Sequence, residues 1–271
     1  MSQTVLITGS SSGIGKAAAL YFAKQGWQVA ATMRTPAQET ELTQFPNIKL
    51  YALDVTDTAS IDTAISQILS DFGALDVVVN NAGFGADGVF EAMDDAFIQR
   101  QFDTNVFGLM RVTRAVLPHM RSRRQGTIVQ IASMGGRITF PLYSIYHGTK
   151  WAVEGFSEAL QYELKGFGIR VKIVEPGAIK TEFYGRSRAF AKPTTTTDYD
   201  TLVAQCEAVT SNAANNGASP EQVAATIFKA ATDKGSRMRY LVGSPAPLLV
   251  RLRKLIPDRW WFGIVHNTYK I

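Results

Sequence analysis

Thr4-Val5-Leu6-Ile7-Thr8-Gly9-Ser10-Ser11-Ser12-Gly13-Ile14-Gly15-Lys16-Ala17-Ala18-Ala19-Leu20 is the stretch that decides the fold. Five strand-forming residues without polar alternation run into a glycine- and serine-rich turn, and a helix-prone segment follows at once. Gly9, Ser11, Ser12, Gly13, Ile14 and Gly15 make a loop whose backbone can approach a pyrophosphate closely. The helix behind it presents unpaired N–H groups and its positive dipole end to the anion. The spacing departs from Gly-x-Gly-x-x-Gly, so the signal comes from the loop's place between a first strand and a helix.

Working outward, short β-branched runs recur at Gln28 to Thr32, Ile48 to Ala52, Val77 to Asn80, Thr127 to Ile131, Val171 to Glu175 and Tyr240 to Val242. Between them, the segments around Gly13 to Gln25, Ser60 to Phe72, Phe97 to Met120, Ser144 to Phe167 and Pro220 to Asp233 carry apolar residues at helical spacing. Gly26 and Gly168 read as helix stops. Strands apolar on both sides belong to a sheet covered on both faces. The expectation is an α/β fold: a Rossmann-type, doubly wound, seven-stranded parallel sheet with right-handed crossovers, in a single domain over residues 1–271.

The 271 residues are 46% hydrophobic and 19% charged, a globular balance that argues against disorder. Cys206 is the only cysteine, which excludes an internal disulfide framework, and His119, His147 and His266 lack ligand spacing, so no metal is assigned. No basic segment and signal-type apolar stretch opens the chain, and no apolar run reaches the ~18 residues of a membrane span, so a cytoplasmic location is expected. The net charge of +5 suits an anionic cofactor. Its main basic cluster, Arg121 to Arg124, is too short for a nucleic-acid stripe and reads as a solvated helix end.

Two regions break the rhythm. From Glu182 to Ser219 the pattern turns polar and aromatic, and a lid over a ligand site is expected there, an irregular surface loop being the plainer alternative. From Pro245 to Ile271, Leu248, Leu249, Leu252, Leu255 and Ile256 interleave with Arg251, Arg253 and Lys254 ahead of Trp260, Trp261 and Phe262. This amphipathic, basic extension packs over the core or on another subunit, or touches a membrane surface.

Two features carry chemistry. The second strand ends Thr32-Met33-Arg34, where an acidic residue would bind an adenosine ribose and repel an added phosphate; Arg34 instead favours NADP(H) over NAD(H). Tyr146 and Lys150, four apart at the start of a helix, share one face. A phenol titrates near 10, so poising it near neutrality takes about 4 kcal/mol, and a nearby ammonium acts in that direction. Ser133, just after a strand, is placed to hold a substrate oxygen.

Together with Asn80-Asn81-Ala82-Gly83, Asn105 and Pro176-Gly177-x-Ile179-x-Thr181, these residues make the sequence resemble the short-chain dehydrogenase/reductase (SDR) family over residues 4 to about 242. The resemblance implies catalytic roles for Asn105, Ser133, Tyr146 and Lys150. Tyr146 would exchange a proton with the alcohol or carbonyl oxygen, while Lys150 would bind the nicotinamide ribose and lower the phenol pKa. Ser133 would orient the same oxygen, and Asn105 would hold a water of the proton relay. For the cofactor it implies Asp54 and Val55 at the adenine, and Asn81, Ala82 and Gly83 beside the adenosine. Pro176, Gly177, Ile179 and Thr181 would bind the carboxamide, and Arg34 with Ser11 or Ser12 the 2′-phosphate.

Ser133-Met134-Gly135-Gly136 with Pro141 is similar to the steroid- and retinol-type branch of that family, which implies a lipophilic ketone, aldehyde or alcohol substrate. Phe140, Tyr143, Phe183, Tyr184 and Phe190 either line its pocket or pack. The resemblance also implies a homodimer or homotetramer built on the helices around Phe97 to Met120 and Ser144 to Phe167. Two competing functions are an NADP(H)-sensing binding protein that lost its chemistry and a membrane-surface protein that uses the basic tail.

Overall fold

In the computed structural model, which describes residues 2–180 and 188–271, β1 (Thr4–Thr8) is buried along its whole length. It pairs in parallel with β2 (Gln28–Met33) on one side and β4 (Val77–Asn80) on the other. The sheet extends outward through β3 (Ile48–Ala52) beyond β2, and through β6 (Gly126–Ile131), β7 (Ile169–Pro176) and β9 (Arg239–Val242) beyond β4. Its order is β3-β2-β1-β4-β6-β7-β9, every pair parallel, so the order reverses between β1 and β4. That switch point opens a crevice beyond the carboxyl ends of the strands.

Alternate strand residues feed two cores. Val5, Ile7, Val29 and Val79 face α1 (Gly13–Lys24) and α7 (Pro220–Thr232), against Phe22 and Ile227. Leu6, Ala30, Val78 and Ile128 face α2 (Thr58–Phe72), α4 (Leu109–Arg123) and α5 (Ser144–Leu164), against Ile68, Val116 and Leu160. Helices therefore cover both faces, as a parallel sheet requires. None of them, among the described residues, is long and apolar enough to cross a membrane.

The helix expected over Phe97 to Met120 is three pieces. Asp94 caps α3 (Asp95–Phe102) by accepting from Phe97 N at 2.7 Å, a six-residue π-helical turn fills Asp103–Gly108, and α4 follows. Apolar periodicity cannot register a single inserted residue per turn, which is what a π-turn is. The Arg121–Arg124 cluster is likewise more than a solvated end. Arg123 holds the Leu75 carbonyl and Asp76, and Arg124, at φ 50°, holds the Gly166 carbonyl.

The segment after residue 187 is also more regular than its composition suggests. β8 (Arg188–Ala191) pairs in parallel with β5 (Gly85–Gly88) in a separate two-stranded sheet, and α6 (Asp200–Asn215) follows. Arg188 forks onto Asp87 with Nε–Oδ1 at 2.8 Å and also reaches Glu207 of α6. Gly88 sits at φ 125°, and a Cβ there would overlap the Ala191 carbonyl, so the strand pair depends on glycine. Past β9, α8 (Ala246–Leu255) and α9 (Asp258–Tyr269) form the amphipathic extension.

Candidate active site

The loop from Gly9 to Gly15 is shaped by contacts across the switch point. Gly9 has φ 70°, and a Cβ on it would come within 2.9 Å of Ala82 Cα. A Cβ on Gly15 would overlap the Gly9 carbonyl and the Asn81 side chain. Asn81 fixes the loop from β4: its Nδ2 donates to the carbonyls of Thr8 at 2.9 Å and Gly9 at 3.2 Å. Ser12 precedes α1 with no side-chain cap, so the helix's first amides remain available to an anion. This cradle fits a dinucleotide pyrophosphate.

Around it, the residues expected at the adenosine end lie beyond the ends of β2, β3 and β4. Arg34 is exposed at the end of β2, with no ion pair among the described residues. Asp54 binds the amide and hydroxyl of Thr56 through Oδ1, at 2.9 and 2.7 Å, and Asp57 rather than Asp54 caps α2. Val55 is buried against Gly108. A Cβ on Gly83 would come within 3.0 Å of Asn105 Oδ1.

Asn105 lies in the π-turn and braces Phe84 from both sides: Oδ1 accepts from its N–H at 3.1 Å, and Nδ2 donates to its carbonyl at 3.0 Å. Nδ2 also lies 3.4 Å from Thr149 Oγ1, tying the turn to α5. On α5, Tyr146 and Lys150 stand one turn apart. Lys150 is buried, donates from Nζ to the Ile131 carbonyl at 2.9 Å, and holds Nζ 5.8 Å from the centroid of the Tyr146 ring. Burial pushes its ammonium down to about 8, opposed by the charge of Glu154, so it stays largely cationic at neutral pH.

Ser133 follows β6, its Oγ accepting from Gly135 N at 3.0 Å and lying 3.4 Å from the Pro176 carbonyl. Pro176 and Gly177 end β7, and Gly177 N donates to the Val242 carbonyl at 2.8 Å. Ile179 is buried and bridges to Ala218. Thr181, Phe183 and Tyr184 lie outside the described residues, as does the first part of the expected lid.

His147, which its spacing excludes as a metal ligand, has a structural part in the site. Its Nε2 accepts from Phe140 N at 3.1 Å and its Nδ1 faces the Gly135 carbonyl at 2.9 Å, which fixes a neutral ring with the proton on Nδ1. Burial drives its pKa down to about 4. The ring thereby locks the segment after Ser133 to the helix that carries Tyr146, and a Cβ on Gly135 would overlap it. Its place beside Tyr146 was the only available signal. Phe140 and Tyr143 pack against the same ring, at centroid distances of 5.9 and 5.6 Å, and Tyr143 also lies 6.1 Å from Tyr146. Phe190, by contrast, is exposed under Arg188, 4.5 Å from the guanidinium.

A model of the short chain dehydrogenases matches residues 3–192. The chain belongs to the short-chain dehydrogenase family. It is 34% identical over 257 residues to a 3-ketodihydrosphingosine reductase of Bacteroides thetaiotaomicron, covering 94% of each chain. It is 32% identical to an NADPH-dependent 3-dehydrocapnine reductase of Ornithobacterium rhinotracheale, over 98% of this chain and 96% of that one. Among solved structures, a short-chain dehydrogenase of Streptomyces avermitilis superposes with a TM-score of 0.84 at 34% identity, over 94% of both chains. A family member from Burkholderia phymatum in complex with NAD gives 0.80 at 26%, over 94% of this chain and 93% of that one. This SDR chain is thus an oxidoreductase of a nucleotide-binding family whose members use NADP and NAD.

Proposed function

We propose that this chain is an NADP(H)-dependent carbonyl reductase and alcohol dehydrogenase for a lipophilic substrate, with Tyr146 as its general acid and base. The observation that carries the proposal is the buried Lys150 ammonium, held by the Ile131 carbonyl beside the Tyr146 ring. When bound, the nicotinamide cofactor supplies or accepts the hydride. Tyr146 gives its phenolic proton to the carbonyl oxygen as that oxygen gains negative charge, and recovers it in the reverse direction. Ser133 Oγ donates a hydrogen bond to the same oxygen. Lys150 favours the phenolate and holds a ribose hydroxyl, and Asn105 keeps the second lone pair of Oδ1 for a relay water.

When bound, the cofactor would be held by Gly9, Ser11, Ser12, Gly13, Ile14 and Gly15, with Asp54, Val55, Asn81, Ala82 and Gly83 serving its adenosine half and Pro176, Gly177, Ile179 and Thr181 its carboxamide. An arginine rather than an acid at the end of β2 supports the phosphorylated form, as does the name of the NADPH-dependent relative. The rings of Tyr143 beside Tyr146 and of Phe140 beside His147 support a lipophilic substrate, as do the names of the 3-ketodihydrosphingosine and 3-dehydrocapnine reductases among the relatives. Residues 182–219 act as its cover.

A homo-oligomer is part of the same reading. Phe107, Trp151 and Tyr162 are exposed, and a groove of about 350 Å³ lined by Phe107, Met110, Leu117 and Phe156 separates α4 from α5. A screen of long-chain and aromatic ketones that follows NADPH oxidation tests the activity. Turnover of at least one lipophilic ketone is expected, and none with any member removes the reading.

A further inference from the structure

Six of the exposed large apolar side chains, Leu248, Leu255, Trp260, Phe262, Ile264 and Ile271, fall in the last 24 residues of the chain. On α8, Leu248, Arg251 and Leu255 recur three and four apart and share the outward face; on α9, Trp260 and Ile264 do the same. The inward faces are tightly held. Val250 and Trp261 are buried with Ile138, and Tyr269 packs 6.2 Å from Phe140, which itself bonds His147 through its N–H. The two helices are therefore fixed over the segment that follows Ser133, and their outward apolar residues are a standing feature of the surface.

The charges around those residues select the occupant. Arg251, Lys254, Arg259 and Lys270 are exposed and make no ion pair among the described residues, and the helices' one acid, Asp258, is already paired with Arg253 at 2.6 Å. A two-fold contact between copies would press this set of cations against its own image, a like-charge arrangement that opposes association. A surface of anionic lipid neutralises all of them at once. Tryptophan and leucine beside lysine and arginine are the composition of a helix lying in the interfacial plane.

We propose that α8 and α9 dock the protein on an anionic bilayer surface, with Leu248, Leu255 and Trp260 entering the headgroup region and Arg251, Lys254 and Arg259 over the phosphates. The docking does not depend on the proposed substrate. If that substrate is lipophilic, docking also brings the Phe140 edge of the site toward the membrane.

The test is flotation of the full chain with vesicles of phosphatidylcholine alone and of phosphatidylcholine with phosphatidylserine, with tryptophan emission, compared between the parent and Trp260→Phe, as a second readout. At low salt the protein is expected to float with the anionic vesicles, to be released as salt rises, and to shift its emission to the blue. Arg251→Glu with Lys254→Glu should lower partitioning about tenfold or more, and Leu255→Ser with Trp260→Ser should lower it as well while circular dichroism stays unchanged. No flotation at low salt overturns the proposal. So does equal partitioning of the charge-reversed variant, or a concentration-dependent dimer that the tail substitutions dissolve while vesicles are ignored. Ketone turnover is scored separately, so failure of the docking and failure of the proposed activity are distinct results.

Discussion

Lys150 and Glu154 stand one turn apart on the buried face of α5, and burial drives them in opposite directions: the ammonium down to about 8, the carboxyl upward. Glu154 is raised first by burial and then by Glu175, which is fully buried on β7. Arg239 of β9 holds Glu154 at 2.9 Å and also reaches Glu158 of α5, while Arg137, after β6, holds Glu175 at 2.9 Å. One oxygen of each carboxyl, Glu154 Oε1 and Glu175 Oε2, has no donor among the described residues. Burial and the neighbouring Glu175 both favour the protonated form of Glu154.

Glu154→Gln is therefore expected to fold and to lose an infrared band of a protonated carboxyl. Because Glu154 titrates higher folded than unfolded, the stability it lends is complete below the ordinary glutamate range and is lost as pH rises through its folded value. Lys150 has the opposite sign: its folded value lies below its unfolded one, so its contribution is complete above about 10.5 and is lost as pH falls through about 8. Urea unfolding at several pH values checks both. A glutamine variant with the wild-type pH dependence between pH 5 and 8 contradicts a raised Glu154.

His147 gives a second pH signature. Its folded pKa of about 4 lies below the ordinary 6.5, so the stability of the neutral ring is present above 6.5 and is lost as pH falls toward 4. The full difference is about 3 kcal/mol. His147→Phe should remove that window, strand Phe140 N and the Gly135 carbonyl, and destabilise by about 2 kcal/mol at pH 7. A variant as stable as the parent at pH 7 would show that the ring bonds have no net value.

Much of this was legible beforehand, and the reason is local. The seven strands of the main sheet lie where β-branched runs sit between turn signals, the glycine loop follows β1 at the switch point, and Lys150 reaches the Ile131 carbonyl at the end of β6, because short motifs specify backbone shape directly. What escaped depends on distant partners. β8 is only Arg-Ala-Phe-Ala until Arg188 meets Asp87, 101 residues earlier, and β5 is a run of small and acidic residues that only that partner makes a strand. His147 and the Glu154–Glu175 pair gain their meaning from neighbours 12 and 21 positions away in the chain. No periodicity reports such contacts.

Arg34→Asp should weaken NADPH binding at least about tenfold relative to NADH, since it removes the donor fork for a 2′-phosphate and places a like charge beside it. Titrating both cofactors by fluorescence measures the ratio. An unchanged ratio removes Arg34 from the phosphate site.

Gly15→Ala should abolish cofactor binding, because the added methyl meets the Gly9 carbonyl and Asn81 in the loop itself. Binding of NADPH by a folded Gly15→Ala protein, read by calorimetry, would mean that the loop adopts another shape around the cofactor.

The sharpest measurement is the turnover of a ketone found in the screen by wild type and by Tyr146→Phe, with NADPH affinity determined alongside. The account predicts a fall of about 10³-fold in kcat with cofactor affinity nearly unchanged, the loss expected of a missing acid–base group. Equal turnover in the two proteins would contradict it.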